Sequence, residues 1–105
     1  MNTNNDSGKV ISLEEACQYT HAFQSANPQA IFSYLVSTNN LNQILEQIDC
    51  SGIRIYNGYD VKNQKSNIVL VGVDENGNDM TKGVLLDELR SCPFDCPGAS
   101  PLMKI

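Results

Sequence analysis

The sequence predicts an α+β fold: a small three- or four-stranded, mostly antiparallel sheet backed by two helices, in the element order α-β-α-β-β-α. The chain has 105 residues, which suffice for one domain of ordinary size and not for two independent cores. Apolar residues make up 41% of the chain and charged residues 18%, a composition typical of folded proteins. Segments with helical spacing of apolar residues alternate with short runs of branched and aromatic residues, which favour strands.

The N-terminal part of the chain predicts a flexible tail followed by a helix. Residues 1–9 are mostly small and polar, so burial cannot offset the entropy lost on ordering them. The helix is predicted to begin after Ser12, which can cap it together with Glu15, and to run to Ser25. Pro28 then prevents its continuation. The buried face of this helix is predicted to consist of Leu13, Ala16, Cys17, Thr20 and Phe23.

The next segment predicts a strand and a second helix. Residues 30–36 are rich in branched and aromatic side chains and too short for a stable helix. The second helix begins at Ser37 or Thr38 and ends before Gly52, which suits a left-handed cap. The connection over residues 30–59 is long enough for a right-handed crossover, which would make the first two strands parallel. Helical spacing is clearest for the apolar residues Leu41, Ile44, Leu45 and Ile48.

Two strands that form an antiparallel hairpin are predicted in the middle of the chain. Residues 52–59 alternate apolar and polar side chains, and residues 66–73 are apolar nearly throughout. A competing interpretation places a tight turn at Asn57 and Gly58, a strong hairpin signal. We prefer the longer strands, because a turn at Asn57 would leave residues 66–73 without a suitable partner.

The C-terminal part predicts a turn, a short helix and an irregular tail. Asn76 and Gly77 favour a tight turn, and residues 83–90 have the spacing of a short helix. The Cys/Pro-rich segment of residues 91–105 is expected to be extended, turned or polyproline-like, and either lies on the domain or hangs free. The predicted organisation is a flexible tail, a single domain and a second tail over residues 1–9, 10–90 and 91–105.

The charge of the chain argues against two classes of partner. Seven Lys and Arg residues stand against twelve Asp and Glu residues, which gives a formal net charge of -5. This field repels phosphate backbones and anionic lipid surfaces, so neither nucleic acid nor membrane is expected as a partner. No apolar run approaches the roughly 20 residues of a spanning helix, and the N-terminal residues lack a signal-peptide pattern. The sequence therefore predicts a cytoplasmic location.

Three of the four cysteines and the single histidine are the candidate metal ligands. Cys92 and Cys96 enclose three residues, so they can close a small disulfide ring or supply two thiolates to a soft metal. Cys17 and His21 lie four residues apart and face the same way on the first helix. Together the four side chains would form a tetrahedral zinc site. The alternative is that Cys17 packs in the core, His21 lies at the solvent edge and the protein has no cofactor.

Candidate interaction residues lie in the predicted sheet and in the tail. Arg54 stands between two isoleucines and either meets an anion or extends over the solvated face. Tyr34, Tyr56 and Tyr59 would share a sheet surface, which is typical of an interface, or lie half-buried with their hydroxyls in water. An open sheet edge would let the chain pair with a second copy. In the tail, a docking segment would use Pro93, Phe94 and Pro97.

Several absences bear on catalysis, and no catalytic residue is predicted. The chain has one histidine, no nucleophile elbow of the Gly-x-Ser-x-Gly type and no glycine-rich phosphate loop. We therefore expect a non-enzymatic accessory or protein-interaction module that binds an unidentified protein partner. One alternative is a thiol- or zinc-binding protein that uses the C-terminal cysteine pair. The other is a small-molecule enzyme or binder that uses Arg54 as an anion clamp.

Three segments, GIRIYNGYD, NIVLVGVDENGNDM and CPFDCPGASPL, together resemble a family of small uncharacterised proteins from Bacteroidota. Members of that family have G-[IL]-R-I-Y-x-G, then V-L-V-G-x-D-x-x-G-x-D, then a Cys-Pro-rich C-terminus. The resemblance covers residues 52–101. It implies a bacterial origin and a small α/β domain, and it implies no activity.

Overall fold

The structure is a computed structural model that describes residues 7–104. Of the predicted flexible tail, residues 1–6 lie outside the described part. The described chain divides into two compact units, one formed by Val36–Leu89 and the other by Ser7–Leu35 together with residues 90–104. In chain order the elements are α1 (Leu13–Ala26), β1 (Ser33–Leu35), α2 (Thr38–Leu45), β2 (Cys50–Asp60), β3 (Lys65–Asp74), β4 (Leu85–Leu86) and β5 (Arg90–Cys92).

Helix α1 confirms the predicted cap and ends within one residue of the predicted position. The Ser12 hydroxyl accepts a hydrogen bond from the Glu15 backbone N–H at 3.0 Å, which satisfies one of the free amides of the first turn. At the other end, the Asn27 N–H donates to the Phe23 carbonyl. The predicted buried face is wrong at two positions, because Leu13 is 58% exposed and Phe23 is 47% exposed.

Strand β1 pairs antiparallel with β5, with Ser33 opposite Cys92 and Leu35 opposite Arg90. The expected parallel pairing of the first two strands is therefore wrong. The partner of β1 comes from the C-terminal part of the chain, where the prolines predicted an irregular tail. Strand β5 ends directly before Pro93, the first proline of this segment. Its three residues are enough for the pairing with β1.

Helix α2 begins where predicted and ends earlier than predicted. The Ser37 hydroxyl accepts from the Asn40 N–H at 3.1 Å, which caps the first turn. The helix stops at Leu45, and Asp49 takes the left-handed conformation with a φ of 70°. Gly52, predicted as the cap, lies instead within β2. Asp is among the residues that tolerate a positive φ, so the chain can turn without a glycine.

Strands β2 and β3 form the hairpin with longer strands that the sequence predicts. Tyr56 lies opposite Val69 and Asp60 opposite Lys65, and the chain turns between them. Asn57 and Gly58 are paired in the middle of β2, so the alternative turn at these residues is wrong. The shorter turn predicted at Asn76 and Gly77 is confirmed: the Gly77 N–H donates to the Asp74 carbonyl, and Gly77 has a φ of 85°.

The predicted short helix at residues 83–90 is wrong, because this segment contributes two short strands. Strand β4 pairs antiparallel with β3, with Leu86 opposite Leu70. Just before it, the Val84 N–H donates to the Gln47 side-chain oxygen at 2.9 Å. The backbone of this segment therefore finds its partners in β3 and in a side chain beyond α2, and no helical turn forms.

The observed architecture confirms the α+β class and the antiparallel pairing. The order and the sheet differ from the prediction, because the described strands form two sheets, β1-β5 and β2-β3-β4. In the larger sheet α2 packs against β2 and β3. The buried apolar residues of this unit are Ile44, Leu70, Val71 and Val73.

Candidate functional site

Arg54 and Tyr56 lie two residues apart on one face of β2, and both contact Asp79. One guanidinium nitrogen of Arg54 lies 2.5 Å from one carboxylate oxygen of Asp79, and the Tyr56 hydroxyl donates to the other oxygen. An antiparallel bridge between Val73 and Asp79, after the turn at Gly77, brings the carboxylate to this face. The guanidinium also donates to the Gly77 carbonyl at 3.5 Å.

The electrostatics of this cluster favour a fully charged pair at neutral pH. The hydrogen bond from Tyr56, followed by that from Arg54, lowers the pKa of the Asp79 carboxyl below its ordinary value. The hydrogen bond to Asp79 raises the pKa of Arg54 and also that of Tyr56. Of the two alternatives that the sequence left open for Arg54, an anion or the solvated face, the structure provides an anion, which is the carboxylate of Asp79 in the same chain. Arg54 remains 45% exposed, and its strongest acceptor is already within the chain.

The outer edge of β2, residues 52–60, is the second notable feature of this unit. One edge of β2 pairs with β3, and no strand within residues 7–104 pairs with the other edge. Ile55 is 62% exposed and Tyr59 is 60% exposed, and alternation along the strand places both on the same face. Exposed strand edges usually carry proline or several charges that prevent pairing, and between Gly52 and Tyr59 the strand has only Arg54.

In the other unit, the C-terminal residues 101–104 lie against α1. The Cys17 thiol donates to the Pro101 carbonyl at 3.1 Å, and the His21 Nε2–H donates to the same oxygen at 2.8 Å. One turn along, the Thr20 hydroxyl donates to the Leu102 carbonyl at 2.8 Å. The sequence left open whether the tail lies on the folded part of the chain or hangs free. Residues 101–104 lie on α1.

Gln24 completes this contact and is the buried polar residue of the described chain, with 7% of its surface exposed. Its amide nitrogen donates to the Leu102 carbonyl at 3.2 Å, and its oxygen accepts from the Lys104 N–H at 2.7 Å. We call Cys17, Thr20, His21 and Gln24 the α1 clamp. Their spacing of three and four residues was visible in the sequence, which nevertheless gave no sign that they bind backbone atoms.

Cys92 and Cys96 form a disulfide with a sequence separation of 4, and we call residues 92–96 the disulfide loop. Cys92 is completely buried at the end of β5, whereas Cys96 is exposed. Between them, Phe94 is 99% exposed. The Asp95 N–H donates to the Ser91 carbonyl at 2.8 Å, which folds the loop back towards β5. Pro93 lies within the loop and Pro97 directly follows it. Both were predicted as interaction residues, and both are exposed.

The four candidate metal ligands do not converge in this structure. Cys92 and Cys96 are bonded to each other, while Cys17 and His21 are directed at the Pro101 carbonyl. No group of three or more His, Cys, Asp and Glu residues within residues 7–104 is arranged to hold a metal ion. The zinc site stays a hypothesis, and it would first require reduction of the disulfide, because zinc binds thiolates.

Comparison of the chain with protein-family models, curated proteins and solved structures found no match. The resemblance to small Bacteroidota proteins stays a prediction. Among the helices in the described part of the chain, neither is long and apolar enough to cross a membrane.

Proposed function

We propose that this protein is a non-enzymatic interaction module of the bacterial cytoplasm that binds a second copy of itself through the outer edge of β2. The observation that carries the proposal is the unpaired edge over residues 52–60, with the exposed side chains of Ile55 and Tyr59. Unpaired strand edges satisfy their backbone amides and carbonyls most readily by adding another strand.

The sequence of β2 is complementary to itself in one antiparallel register. A twofold axis at Asn57 would place Ile55 opposite Tyr59 of the second copy and Arg54 opposite Asp60 of the second copy. The first pair joins a branched and an aromatic residue, and the second joins opposite charges, both of which stabilise cross-strand neighbours. Asp60 is charged at neutral pH like any ordinary aspartate, and hydrogen bonds from Asn63 lower the pKa of its carboxyl further. The two three-stranded sheets would then continue into one.

The first test is the oligomeric state of the full chain, measured by sedimentation equilibrium. We expect a dimer for the natural sequence and a monomer for Ile55→Lys, because lysine would place a charge within the apolar contact. The matched control is Ile48→Lys, since Ile48 is 86% exposed and lies outside the sheet, and this variant should remain dimeric. A natural chain that stays monomeric, or an Ile55→Lys variant as dimeric as the control, contradicts the proposal.

The second test is specific to the register. Residues directly opposite each other in antiparallel strands have Cα atoms about 4.5–5.5 Å apart, which lies within the range of a disulfide. Only residue 57 faces itself in this register, so Asn57→Cys should give a covalent dimer on mild oxidation. Ile55→Cys should not, because the two copies of residue 55 would lie four positions apart. Equal cross-linking of the two variants, judged against the oxidised natural chain, contradicts the register.

A further inference from the structure

The disulfide loop presents its two cysteines very differently. Cys92, the last residue of β5, has no exposed surface, whereas Cys96 lies in the exposed part of the loop. We propose that the Cys92–Cys96 disulfide is a thiol–disulfide exchange site whose substrate is a protein dithiol with an apolar contact surface. This site is separate from the β2 edge and does not depend on the function proposed for that edge.

The unequal exposure defines the direction of the reaction. A thiolate of the incoming dithiol attacks the Cys96 sulfur, a mixed disulfide forms at Cys96, and the Cys92 sulfur leaves as a thiolate and takes a proton from water. The second thiolate of the dithiol then attacks the mixed disulfide and releases the Cys96 sulfur, which is protonated in turn. Two electrons and two protons have passed to the loop, and the dithiol has become a disulfide.

The surrounding backbone can hold its position while this bond opens and closes. Strand β5 is held by β1, and the Phe32 N–H donates to the Cys92 carbonyl at 2.7 Å. The loop itself is held by the hydrogen bond from the Asp95 N–H and by the pair of Arg90 and Asp95, whose side-chain atoms lie 3.5 Å apart. A disulfide that closes so short a loop also restricts the unfolded chain least, so it adds less stability than one joining distant segments.

The preference for a protein substrate comes from Phe94. Its side chain is 99% exposed and lies within the ring closed by the two cysteines. A small dithiol needs only access to the Cys96 sulfur. A protein dithiol with an apolar surface around its thiols would also bury the phenyl ring, and burial of an aromatic side chain contributes strongly to association.

The test compares two reductants on the oxidised full-length chain, with thioredoxin as the protein dithiol and dithiothreitol as the small one. Each should expose two new thiols, counted by alkylation and mass spectrometry. We expect Phe94→Ser to slow reduction by thioredoxin about tenfold, which corresponds to losing one modest aromatic contact. Reduction by dithiothreitol should stay within about twofold of the natural chain, because access to Cys96 is unchanged. Tyr19→Ser is the matched control, since Tyr19 is 64% exposed on α1.

Three results would overturn this inference. The first is an air-oxidised protein in which all four cysteines still react as free thiols. The second is a disulfide that dithiothreitol opens and thioredoxin leaves closed. The third is an equal effect of Phe94→Ser on both reductants, which would mean that the substitution alters the loop itself. Phe94 is almost entirely exposed, so its replacement should leave the fold intact, and circular dichroism verifies this.

Discussion

Asp79 joins two parts of one unit through its side chain. Its carboxylate accepts from Arg54 and Tyr56 on β2, while its backbone bridges to β3 at Val73. The side chain is 20% exposed, so water competes only partly for its two oxygens. Because both carboxylate oxygens accept hydrogen bonds, folding stabilises the ionised form of Asp79 relative to the protonated form.

The lowered pKa of Asp79 predicts how stability depends on pH. A carboxyl whose pKa falls on folding stabilises the protein above its unfolded pKa, and this contribution is lost as the pH falls through the folded pKa. Asp79→Asn should therefore lower the urea midpoint at pH 7, and the difference from the natural chain should shrink at pH 3. Asp87→Asn, at an exposed position outside this cluster, serves as the control. A difference that is unchanged at pH 3 would contradict this assignment.

Single residues were predictable where their partners are close in sequence. Ser12 caps α1 by accepting from the Glu15 N–H, and Ser37 caps α2 by accepting from the Asn40 N–H. Such contacts depend only on a local turn. At Arg54 the sequence predicted that the guanidinium would meet either an anion or solvent. The sequence could not identify Asp79 as that anion, because the contact depends on the turn after Asp74, which brings Asp79 beside Val73.

At the scale of elements, Gly72 allows α2 to approach β3 closely. A Cβ atom at Gly72 would lie 2.9 Å from the side-chain nitrogen of Gln47, 3.2 Å from Ile44 and 3.2 Å from the sulfur of Met80. Ile44 is completely buried in this contact, and Gln47 is held by its bonds to the Ile44 carbonyl and the Val84 N–H. Neither neighbour can move aside without losing packing or a hydrogen bond.

Gly72→Ala should therefore destabilise the protein by about 1–3 kcal/mol, since the added methyl overpacks the contact between helix and sheet. Gly98→Ala is the matched control, because nothing lies within 4 Å of a Cβ atom there. Its effect should stay within about 0.5 kcal/mol, as is usual for surface positions. Urea unfolding followed by circular dichroism measures both. Equal stability of the two variants would contradict the close packing of α2 on β3.

The long elements were predictable, whereas the short strands β4 and β5 were not. Helix α1 and the hairpin of β2 and β3 have enough residues for their apolar pattern to appear in the sequence. Strand β4 has two residues and β5 has three, so partners distant in sequence decide their conformation. In residues 83–90 a helical spacing of leucines was present, and pairing with β3 prevailed over it.

At the scale of the whole molecule, one compact unit is assembled from both ends of the described chain. Its N-terminal half supplies α1 and β1, and its C-terminal half supplies β5, the disulfide loop and residues 101–104. The strand pair and the α1 clamp hold the two halves together. Four side chains of the clamp bind main-chain atoms, so the docked segment is recognised through its backbone.

Gln24→Ala should loosen the C-terminal segment, because it removes the acceptor of the Lys104 N–H and one donor to Leu102. A hydrogen bond of ordinary strength corresponds to about a tenfold change in the opening equilibrium, so hydrogen exchange at the Lys104 amide should become about tenfold faster. Nuclear magnetic resonance measures this rate directly. Gln18→Ala, at an exposed position on the same helix, should leave the rate unchanged, and equal rates in both variants would contradict the clamp.

Composition and residue spacing predicted a folded α+β molecule, but neither could predict how the two ends of the described chain meet. The apolar and charged fractions indicated a folded chain, the alternation of helical and strand-like segments indicated the α+β class, and the structure agrees with that class. Docking of residues 101–104 depends on backbone carbonyl and N–H groups, which every sequence carries, so no residue pattern distinguishes a docked tail from a free one. The state of Cys92 and Cys96 could not be predicted either, because their spacing suits both a disulfide ring and a pair of metal ligands.

The pairing of β1 with β5 has a consequence for how the protein is made. Helix α1 and β1 are synthesised before their partners, which are translated only after the whole of residues 36–89. At typical speeds this interval lasts about 3–10 seconds, long enough for the hairpin unit to fold on the nascent chain. Helix α1 and β1 therefore lack their native contacts during this interval, and their apolar side chains are then a natural target for chaperones.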